Sequence, residues 1–310
     1  MENQSSVQNI LQEVKTVIKG KDQVVEKVLI ALLAKGHILI EDIPGVGKTT
    51  MALAFSRAMS LDYKRMQFTP DVLPSDVVGF TVLTKEQTFE YKQGAVLCNL
   101  FLADEINRTS SKTQSALLEV MEEGKVTVDG TTRQVPKPFN VIATQNPEGS
   151  AGTQLLPESQ LDRFMIKLSM GYPDIHEEIS IIKGKQTGDP LDNVEPVVST
   201  EEILLMQEQV SNVFIHDVLY AYITALVSAT RKNDMVSLGA SPRGSIALTA
   251  IAKARAYVMG RDYVLPEDIS VMLPDVISHR LVLNPKARVG RIKVEDVINQ
   301  ILEKVPAPKL

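Results

Sequence analysis

The chain has 310 residues, of which 44% are hydrophobic and 23% charged, and its net charge is −5 at pH 7. This length allows one large domain or two ordinary ones, and the mildly acidic balance argues against a protein whose main task is to hold nucleic acid. The single cysteine, Cys98, excludes a disulfide framework or a cysteine-rich metal site within one chain.

The first segments of the chain predict two helices and a strand. The polar N-terminus lacks the pattern of a signal peptide, and no apolar run approaches ~18 residues, so we expect a cytoplasmic protein without a membrane span. Apolar residues at helical spacing predict helices over 7–18 and 24–33. The apolar run 37–40 predicts a buried strand, and another helix follows it to about Met59.

Strands and helices alternate through the first 187 residues. A helix is predicted over 111–122, and further strands are predicted over 64–68, 100–103, 140–144 and 164–168. This alternation predicts a mostly parallel sheet with both faces covered. Two β-hairpins interrupt it, and their strands are predicted over 80–83, 88–91, 125–128 and 132–135.

The remainder of the chain shows only helical periodicity. Residues 188–199 are typical of a linker, and residues 200–310 predict a smaller all-helical domain. Ser241 and Pro242 have the pattern of a helix cap followed by a first-turn proline. The predicted fold is therefore an α/β domain over 1–187, a linker, and a helical domain.

A glycine-rich segment lies between a predicted strand and a predicted helix, which is the setting of a phosphate-binding P-loop. Its glycines allow a tight turn that aims N–H groups at phosphate oxygens. Lys48 can reach the β- and γ-phosphates, and the Thr49 hydroxyl can bind Mg²⁺. The general pattern has glycine at position 42, so the carboxylate of Asp42 must point away from the phosphates. The predicted nucleotide-binding residues of this loop are Pro44, Gly45, Val46, Gly47, Lys48, Thr49 and Thr50.

Two acidic residues, Asp104 and Glu105, follow the apolar run 100–103. A buried parallel strand delivers such residues at its carboxyl end, where ligands of parallel sheets bind. Asp104 can hold Mg²⁺ through its water shell, and Glu105 can polarise the attacking water. With the P-loop upstream, the pair favours nucleotide hydrolysis over a solvated strand end.

At this point the chain resembles the MoxR branch of the AAA+ ATPases. The resemblance runs over nearly the whole chain and rests on several long segments. They are the sequences at 66–76, 104–108, 112–123, 143–148, 156–164, 239–243 and 279–281.

The resemblance implies roles for further residues. Asn146 is similar to the sensor-1 residue that positions the attacking water, although an asparagine before proline is also a common turn former. Arg163 resembles the arginine finger that reaches a neighbouring subunit's ATP, and Arg243 resembles the sensor-2 arginine, acting in cis or in trans. A surface salt bridge is the alternative for each arginine. The adenine pocket is expected near Val17 and Ile18.

The resemblance also implies the architecture of an AAA+ ATPase, with a P-loop domain followed by a helical lid. The hairpin over 80–91 corresponds to an insertion in the second helix, and the hairpin around Asp129 and Gly130 to the insertion before sensor 1. In related rings such hairpins touch the client protein. The implied partners are further copies of the chain in a hexameric ring, and a client that carries a von Willebrand A domain.

These inferences predict hydrolysis of ATP with Mg²⁺ in an oligomeric ring that remodels or matures a client. A nucleic-acid motor is the alternative, which the acidic balance disfavours. A GTPase-like switch lacks its base-reading motif here, and a non-hydrolysing scaffold would have no use for Glu105.

Overall fold

The computed structural model describes residues 2–146, 156–186 and 188–309, without the side chains of residues 2–4 and 185. These residues form two compact units that interleave along the chain. The first comprises Met1–Leu29, His37–Leu156 and Leu168–Leu204, and the second comprises Ile30–Gly36, Pro157–Lys167 and Leu205–Leu310. The predicted division into 1–187, 188–199 and 200–310 stays a prediction. It follows the order of the chain, whereas these units are defined by contacts in space.

The strands are numbered in chain order. They are β1 Ile38–Glu41, β2 Tyr63–Gln67, β3 Gly79–Leu83, β4 Phe89–Gln93, β5 Leu100–Asp104, β6 Lys125–Val128, β7 Thr131–Gln134, β8 Asn140–Gln145, β9 Ile166–Leu168, β10 Val236–Leu238 and β11 Val282–Leu283.

The helices are numbered in the same way, with α6 a single turn. They are α1 Glu2–Val17, α2 Asp22–Leu33, α3 Lys48–Ala58, α4 Pro74–Val78, α5 Ser111–Glu123, α6 Glu158–Leu161, α7 Ile175–Gln186, α8 Thr200–Asn212, α9 Asp217–Arg231, α10 Pro242–Val258, α11 Pro266–Ile277, α12 Pro285–Val289 and α13 Val294–Lys304. Short 3₁₀ helices span Ile106–Arg108, Pro190–Asn193 and Ser278–Arg280.

A five-stranded sheet with the order β2-β5-β8-β1-β9 forms the centre of the α/β fold. The pairings β2–β5, β5–β8 and β1–β8 are parallel. Every residue of β5 is buried, which agrees with its apolar run, since a parallel strand is covered on both faces. In register, Gln67 lies opposite Asp104 and Glu41 lies opposite Gln145, so the carboxyl ends of these strands share one edge. The predicted fold class is confirmed.

Both predicted hairpins are present. Strand β3 pairs antiparallel with β4, and β6 pairs antiparallel with β7. The turn of the second hairpin consists of Asp129 and Gly130, both with positive φ, which is the geometry that an Asp-Gly turn favours.

The second unit is mainly helical, as predicted, with one addition. Strands β10 and β11 form a two-stranded antiparallel sheet that helical periodicity did not indicate. Runs of two or three residues carry no periodicity of their own, because a strand pattern needs about four residues to show alternation.

Residues 188–199, predicted as a linker, belong to the first unit. Leu191 and Val198 are buried, and the amide of Val197 donates to the carbonyl oxygen of Ala58. Among the residues that the structure describes, no helix is long and apolar enough to cross a bilayer.

Candidate active site

The P-loop turns between the end of β1 and the start of α3. Gly45 has φ +88° and Gly47 has φ +96°, in the left-handed region that L side chains rarely adopt. Gly47 directly precedes α3, whose first residue is Lys48. The loop amides and the start of the helix therefore form the kind of positive cradle that phosphates occupy.

The carboxylate of Asp42 faces away from this cradle, as the sequence required. Its Oδ2 accepts hydrogen bonds from the amides of Met170, at 2.6 Å, and Gly171, at 2.7 Å, and from the Ser169 hydroxyl at 3.1 Å. Its Oδ1 accepts from the amide of Ile43 at 2.9 Å. Asp42 thus fastens the P-loop to the segment after β9.

Lys48 is buried, and its ammonium group is held by the loop itself. Its Nζ donates to the carbonyl oxygens of Asp42 at 2.7 Å and Ile43 at 3.1 Å. Burial lowers the pKa of Lys48 below its ordinary value, although the carboxylates of Asp42, Asp104 and Glu105 oppose that shift. The side chain is therefore oriented before any phosphate arrives.

Asp104 ends β5 and has a partner on each oxygen. Its Oδ1 accepts from the Thr144 hydroxyl at 2.6 Å. Its Oδ2 accepts from Nη2 of Arg65 at 2.6 Å and from Nε of the same guanidinium at 3.2 Å. Arg65 is a residue of β2, the strand paired with β5, so the ion pair follows from the register of the sheet.

Glu105 follows Asp104 with φ +56°, so its backbone leaves the strand in the left-handed region. Its amide donates to the Thr144 hydroxyl at 2.9 Å. Its carboxylate accepts at Oε1 from Nδ2 of Asn146 at 3.3 Å, and at Oε2 from Nη1 of Arg108 at 2.8 Å. Gln67 adds a longer contact of 3.4 Å to Oε2.

The environment of Glu105 keeps it ionised. Burial acts to raise the pKa of Glu105, but hydrogen bonds from Arg108, Asn146 and Gln67 outweigh it and hold the pKa below the usual value. A carboxylate beside an asparagine amide is a suitable arrangement for holding a water molecule between two polar groups.

One cavity of about 350 Å³ brings most of the predicted residues together. Its predicted members are Pro44, Gly45, Gly47, Lys48, Thr49, Thr50, Asp104, Glu105 and Asn146. A second cavity of about 420 Å³ is lined by Val17, Ile18 and Val46 and shares Gly45, Gly47 and Thr50 with the first. The two cavities therefore meet along the P-loop.

The first cavity also contains the groups that a magnesium ion would need. Thr49 and Asp104 both line it, and oxygen donors are the ligands that Mg²⁺ prefers. No cluster of three or more His, Cys, Asp or Glu side chains suited to a metal occurs among the described residues. This donor set therefore fits an ion that takes its other ligands from phosphates and water.

Arg163 and Arg243 belong to the second unit. Arg163 follows the single-turn helix α6, and Arg243 is the second residue of α10. The backbone amide of Arg243 donates to Oγ of Ser241, the residue that caps α10. Residues 147–155, which include the end of the segment 143–148 behind the resemblance, lie outside the described residues.

Comparisons with known proteins agree with this geometry. A model of the ATPase family associated with various cellular activities (AAA) matches residues 37–166, and an AAA lid domain model matches residues 228–301. The uncharacterized protein YeaC of Bacillus subtilis is 48% identical over 96% of this chain and 93% of its own length. Chaperone MoxR1 of Mycobacterium tuberculosis is 44% identical over 96% of this chain and 81% of its own length.

This chain is a MoxR-family AAA+ ATPase.

A solved structure supports the same assignment for the fold. A crystal structure from Cytophaga hutchinsonii, provisionally described as an ATPase, matches the MoxR-family chain with a TM-score of 0.93. The two are 38% identical, and the match covers 99% of this chain and 96% of that one. The chain is thus a nucleotide-binding enzyme that hydrolyses ATP.

The matched regions of the MoxR-family chain contain nearly all of the predicted site residues. The AAA region includes the P-loop, the acidic pair, Asn146 and Arg163, and the lid region includes Arg243. Val17 and Ile18 lie before the matched AAA region.

Four residues around the acidic pair were missed by sequence reasoning. They are Arg65, Gln67, Arg108 and Thr144. Arg65 and Gln67 had a signal that could have found them, since they alternate at the carboxyl end of a strand that neighbours the acidic one.

Proposed function

We propose that this ATPase works in the cytoplasm as a hexameric ring with active sites shared between copies, and that its ATP cycle remodels or matures a client protein carrying a von Willebrand A domain. The observation that carries the catalytic part is the single cavity in which Lys48, Thr49, Asp104, Glu105 and Asn146 meet. The client role is supported by the 44% identity to a protein named as a chaperone.

In this proposal the phosphates of ATP lie on the amides of the P-loop, and Lys48 exchanges its carbonyl partners for phosphate oxygens. Glu105 draws a proton from the attacking water while Asn146 holds that water in line with the γ-phosphorus. The water oxygen bonds to the γ-phosphorus as the bond between that phosphorus and the bridging oxygen breaks, and ADP and phosphate are released. The low pKa of Glu105 supports this role, because the group must be ionised at neutral pH.

Thr49 and Asp104 would hold Mg²⁺ against the phosphates. When bound, the ion supplies positive charge that stabilises the developing charge on the phosphate oxygens. Arg65 already pairs with this carboxylate through Oδ2, so it would compete with the ion for Asp104.

The second cavity suits the adenine base. It joins the phosphate cavity at Gly45, Gly47 and Thr50, and its apolar lining includes Val17, Ile18 and Val46. An apolar slot next to a phosphate cradle is the arrangement that a nucleotide needs, with a flat base at one end and charge at the other.

Two arginines of the second unit complete the proposed machinery. Arg163 of a neighbouring copy would stabilise charge in the transition state, as arginine fingers do. Arg243 would contact the phosphates of the same nucleotide or of its own copy's nucleotide.

The β3–β4 hairpin is the better candidate for contact with the client. At its tip, Leu83 pairs with Phe89, and their exposed fractions are 61% and 80%. The β6–β7 hairpin instead carries Thr127 and Thr132, which hydrogen-bond to each other across the strands. A photo-crosslinking residue at position 89 should capture a protein of the source cell during ATP turnover, with position 132 as the control.

The ring is tested by subunit mixing. Glu105→Gln removes water activation but keeps Arg163, whereas Arg163→Ala removes the finger but keeps Glu105. If the site is shared, specific activity of the wild type rises with protein concentration, and mixing the two variants restores activity that neither has alone. Flat specific activity and an inactive mixture would instead favour a self-contained nucleotide switch.

A further inference from the structure

Arg280 holds the backbone on both sides of Arg163. Its Nε donates to Oδ1 of Asp162 at 2.8 Å, and its Nη2 donates to the carbonyl oxygens of Asp162 at 3.2 Å and Phe164 at 2.7 Å. Its Nη1 donates to the carbonyl oxygen of Met165 at 3.2 Å. One guanidinium therefore fixes three of the residues that flank Arg163.

The surroundings of this guanidinium make the contacts rigid. The Arg280 side chain is only 3% exposed, and the Phe164 side chain is fully buried. His279 adds a hydrogen bond of 3.0 Å between its Nε2 and the carbonyl oxygen of Phe164. A buried charge is tolerated only where its donors have partners, so Arg280 cannot leave this position without a large cost.

The same cluster reaches the helix that carries Arg243. The second carboxylate oxygen of Asp162 accepts from Oγ of Ser241 at 2.8 Å. Ser241 caps α10, and Gly244, in the first turn of that helix, lies so close to Arg280 that an added Cβ would be 3.4 Å from Cδ. Asp162 thus binds Arg280 with one oxygen and the start of α10 with the other.

We infer that Arg280, acting through Asp162 and the carbonyl of Phe164, is the positioning residue for Arg163. The inference rests on the proposed function, in which Arg163 acts on a neighbour's ATP. Lysine cannot replace Arg280 here, because its single ammonium cannot reproduce the planar fork that reaches Asp162, Phe164 and Met165 together.

The experiment uses the mixing assay and places Arg280→Lys in one partner at a time. In the mixture, the Glu105→Gln chain donates Arg163, and the Arg163→Ala chain contributes the working cavity. Arg280→Lys in the donating chain should lower kcat roughly 10- to 100-fold, since displacement by about 1 Å is costly at a catalytic group. KM for ATP should not change, because the cavity that binds ATP is on the other chain.

In the Arg163→Ala chain the finger is already absent, so adding Arg280→Lys there should leave the activity of the mixture unchanged. Arg255→Lys is the matched control. Arg255 is another largely buried arginine of the same unit, and it pairs with Asp268 rather than with the residues around Arg163. It should have no effect that depends on the chain in which it is placed, and thermal unfolding of each variant checks that the second unit is intact.

The outcomes separate the inference from the function on which it rests. An inactive mixture of the two parent variants would overturn the shared site, and the inference with it. An active parent mixture that loses the same activity whichever chain carries Arg280→Lys would overturn the inference alone, because Arg280 would then serve only the stability of the second unit. An active mixture that is unaffected in both placements would overturn it as well.

Discussion

Two arginine–aspartate pairs, Arg65–Asp104 and Arg280–Asp162, use the same groups at similar distances, with closest contacts of 2.6 and 2.8 Å. Their surroundings differ. The Arg65 side chain is 44% exposed, whereas that of Arg280 is 3% exposed. A screened pair contributes about 0–1 kcal/mol and can exchange partners, whereas breaking a buried pair costs about 3–5 kcal/mol.

The degree of burial therefore gives the same kind of ion pair two different functions. The Arg65–Asp104 pair can exchange partners when a cation or a phosphate competes for one of its members. The Arg280–Asp162 pair should stay formed throughout the ATP cycle. Substitutions at each pair, and at Glu105 beside the exchangeable one, can distinguish the two functions.

The largest effect is expected for Glu105→Gln. The amide cannot accept the proton of the attacking water, so kcat should fall by about 10²–10⁴. ATP binding should persist, because the P-loop is untouched, and fluorescence titration with a nucleotide analogue measures it. Glu123→Gln is the control, since Glu123 forms an exposed pair with Lys125. Turnover equal to that of the control would remove Glu105 from its proposed role.

Urea unfolding of Arg280→Ala and Arg65→Ala measures how much each pair contributes to stability. Arg280→Ala should lower the free energy of unfolding by about 3–5 kcal/mol, because it leaves the Asp162 carboxylate without its main partner. Arg65→Ala should change it by no more than about 1 kcal/mol. Similar losses for both variants would contradict the division between an exchangeable pair and a fixed one.

Acid should destabilise the fold through a buried histidine. The ring of His37 lies between the carbonyl oxygen of Met121 and the amide of Val141, at 3.0 Å from each, and burial lowers the pKa of His37 to about 4. The unfolded chain, with an ordinary histidine pKa near ~6.5, binds the proton more readily. Stability is therefore full above about pH 6.5 and falls as the pH drops towards 4.

At pH 5 the expected loss from His37 is about 2 kcal/mol. His279 is also buried, with its pKa well below the ordinary value, and it adds a loss of the same sign. Thermal unfolding at pH 7 and pH 5 measures the sum, and His37→Gln should reduce the difference between the two. An unchanged difference in that variant would assign the acid sensitivity to other groups.

The smallest of these effects concerns the magnesium requirement. Because Arg65 and the cation would compete for the Asp104 carboxylate, Arg65→Gln should lower the Mg²⁺ concentration at half-maximal activity. The change should be about fivefold at most, which corresponds to the ~1 kcal/mol of a pair whose arginine is exposed. Arg57→Gln, which alters an exposed pair with Asp192, is the control. A higher magnesium requirement would mean that Arg65 supports Asp104 rather than competing for it.

The sequence was sufficient for the parts of the molecule that depend on local pattern. Buried strands such as β5 are recognisable as apolar runs, and the glycines of the P-loop indicate a tight turn. The sheet, the hairpins and the cavity residues could therefore be predicted. The partners of the acidic pair could not. Arg65 reaches Asp104 only because β2 pairs with β5 in one register, and Arg108 reaches Glu105 only because the chain turns at Glu105.

The cluster around Arg280 illustrates the same limit. Arg280 lies 118 residues from Asp162 in the chain, and nothing in the composition near Arg280 predicts that its guanidinium will be buried against that carboxylate. Contacts at such separations depend on how whole helices pack together. Apolar periodicity predicts which face of a helix is buried, but it does not predict which element packs against that face.

The left-handed backbone of Glu105 has a consequence for protein engineering. A residue other than glycine at φ +56° costs about 1–2 kcal/mol, so the chain is less stable at this position than its fold requires. Glu105→Gly should raise the unfolding temperature while abolishing turnover. A screen that selects variants for thermostability alone would therefore enrich inactive variants at this position. A screen for more stable variants must also select for ATPase activity.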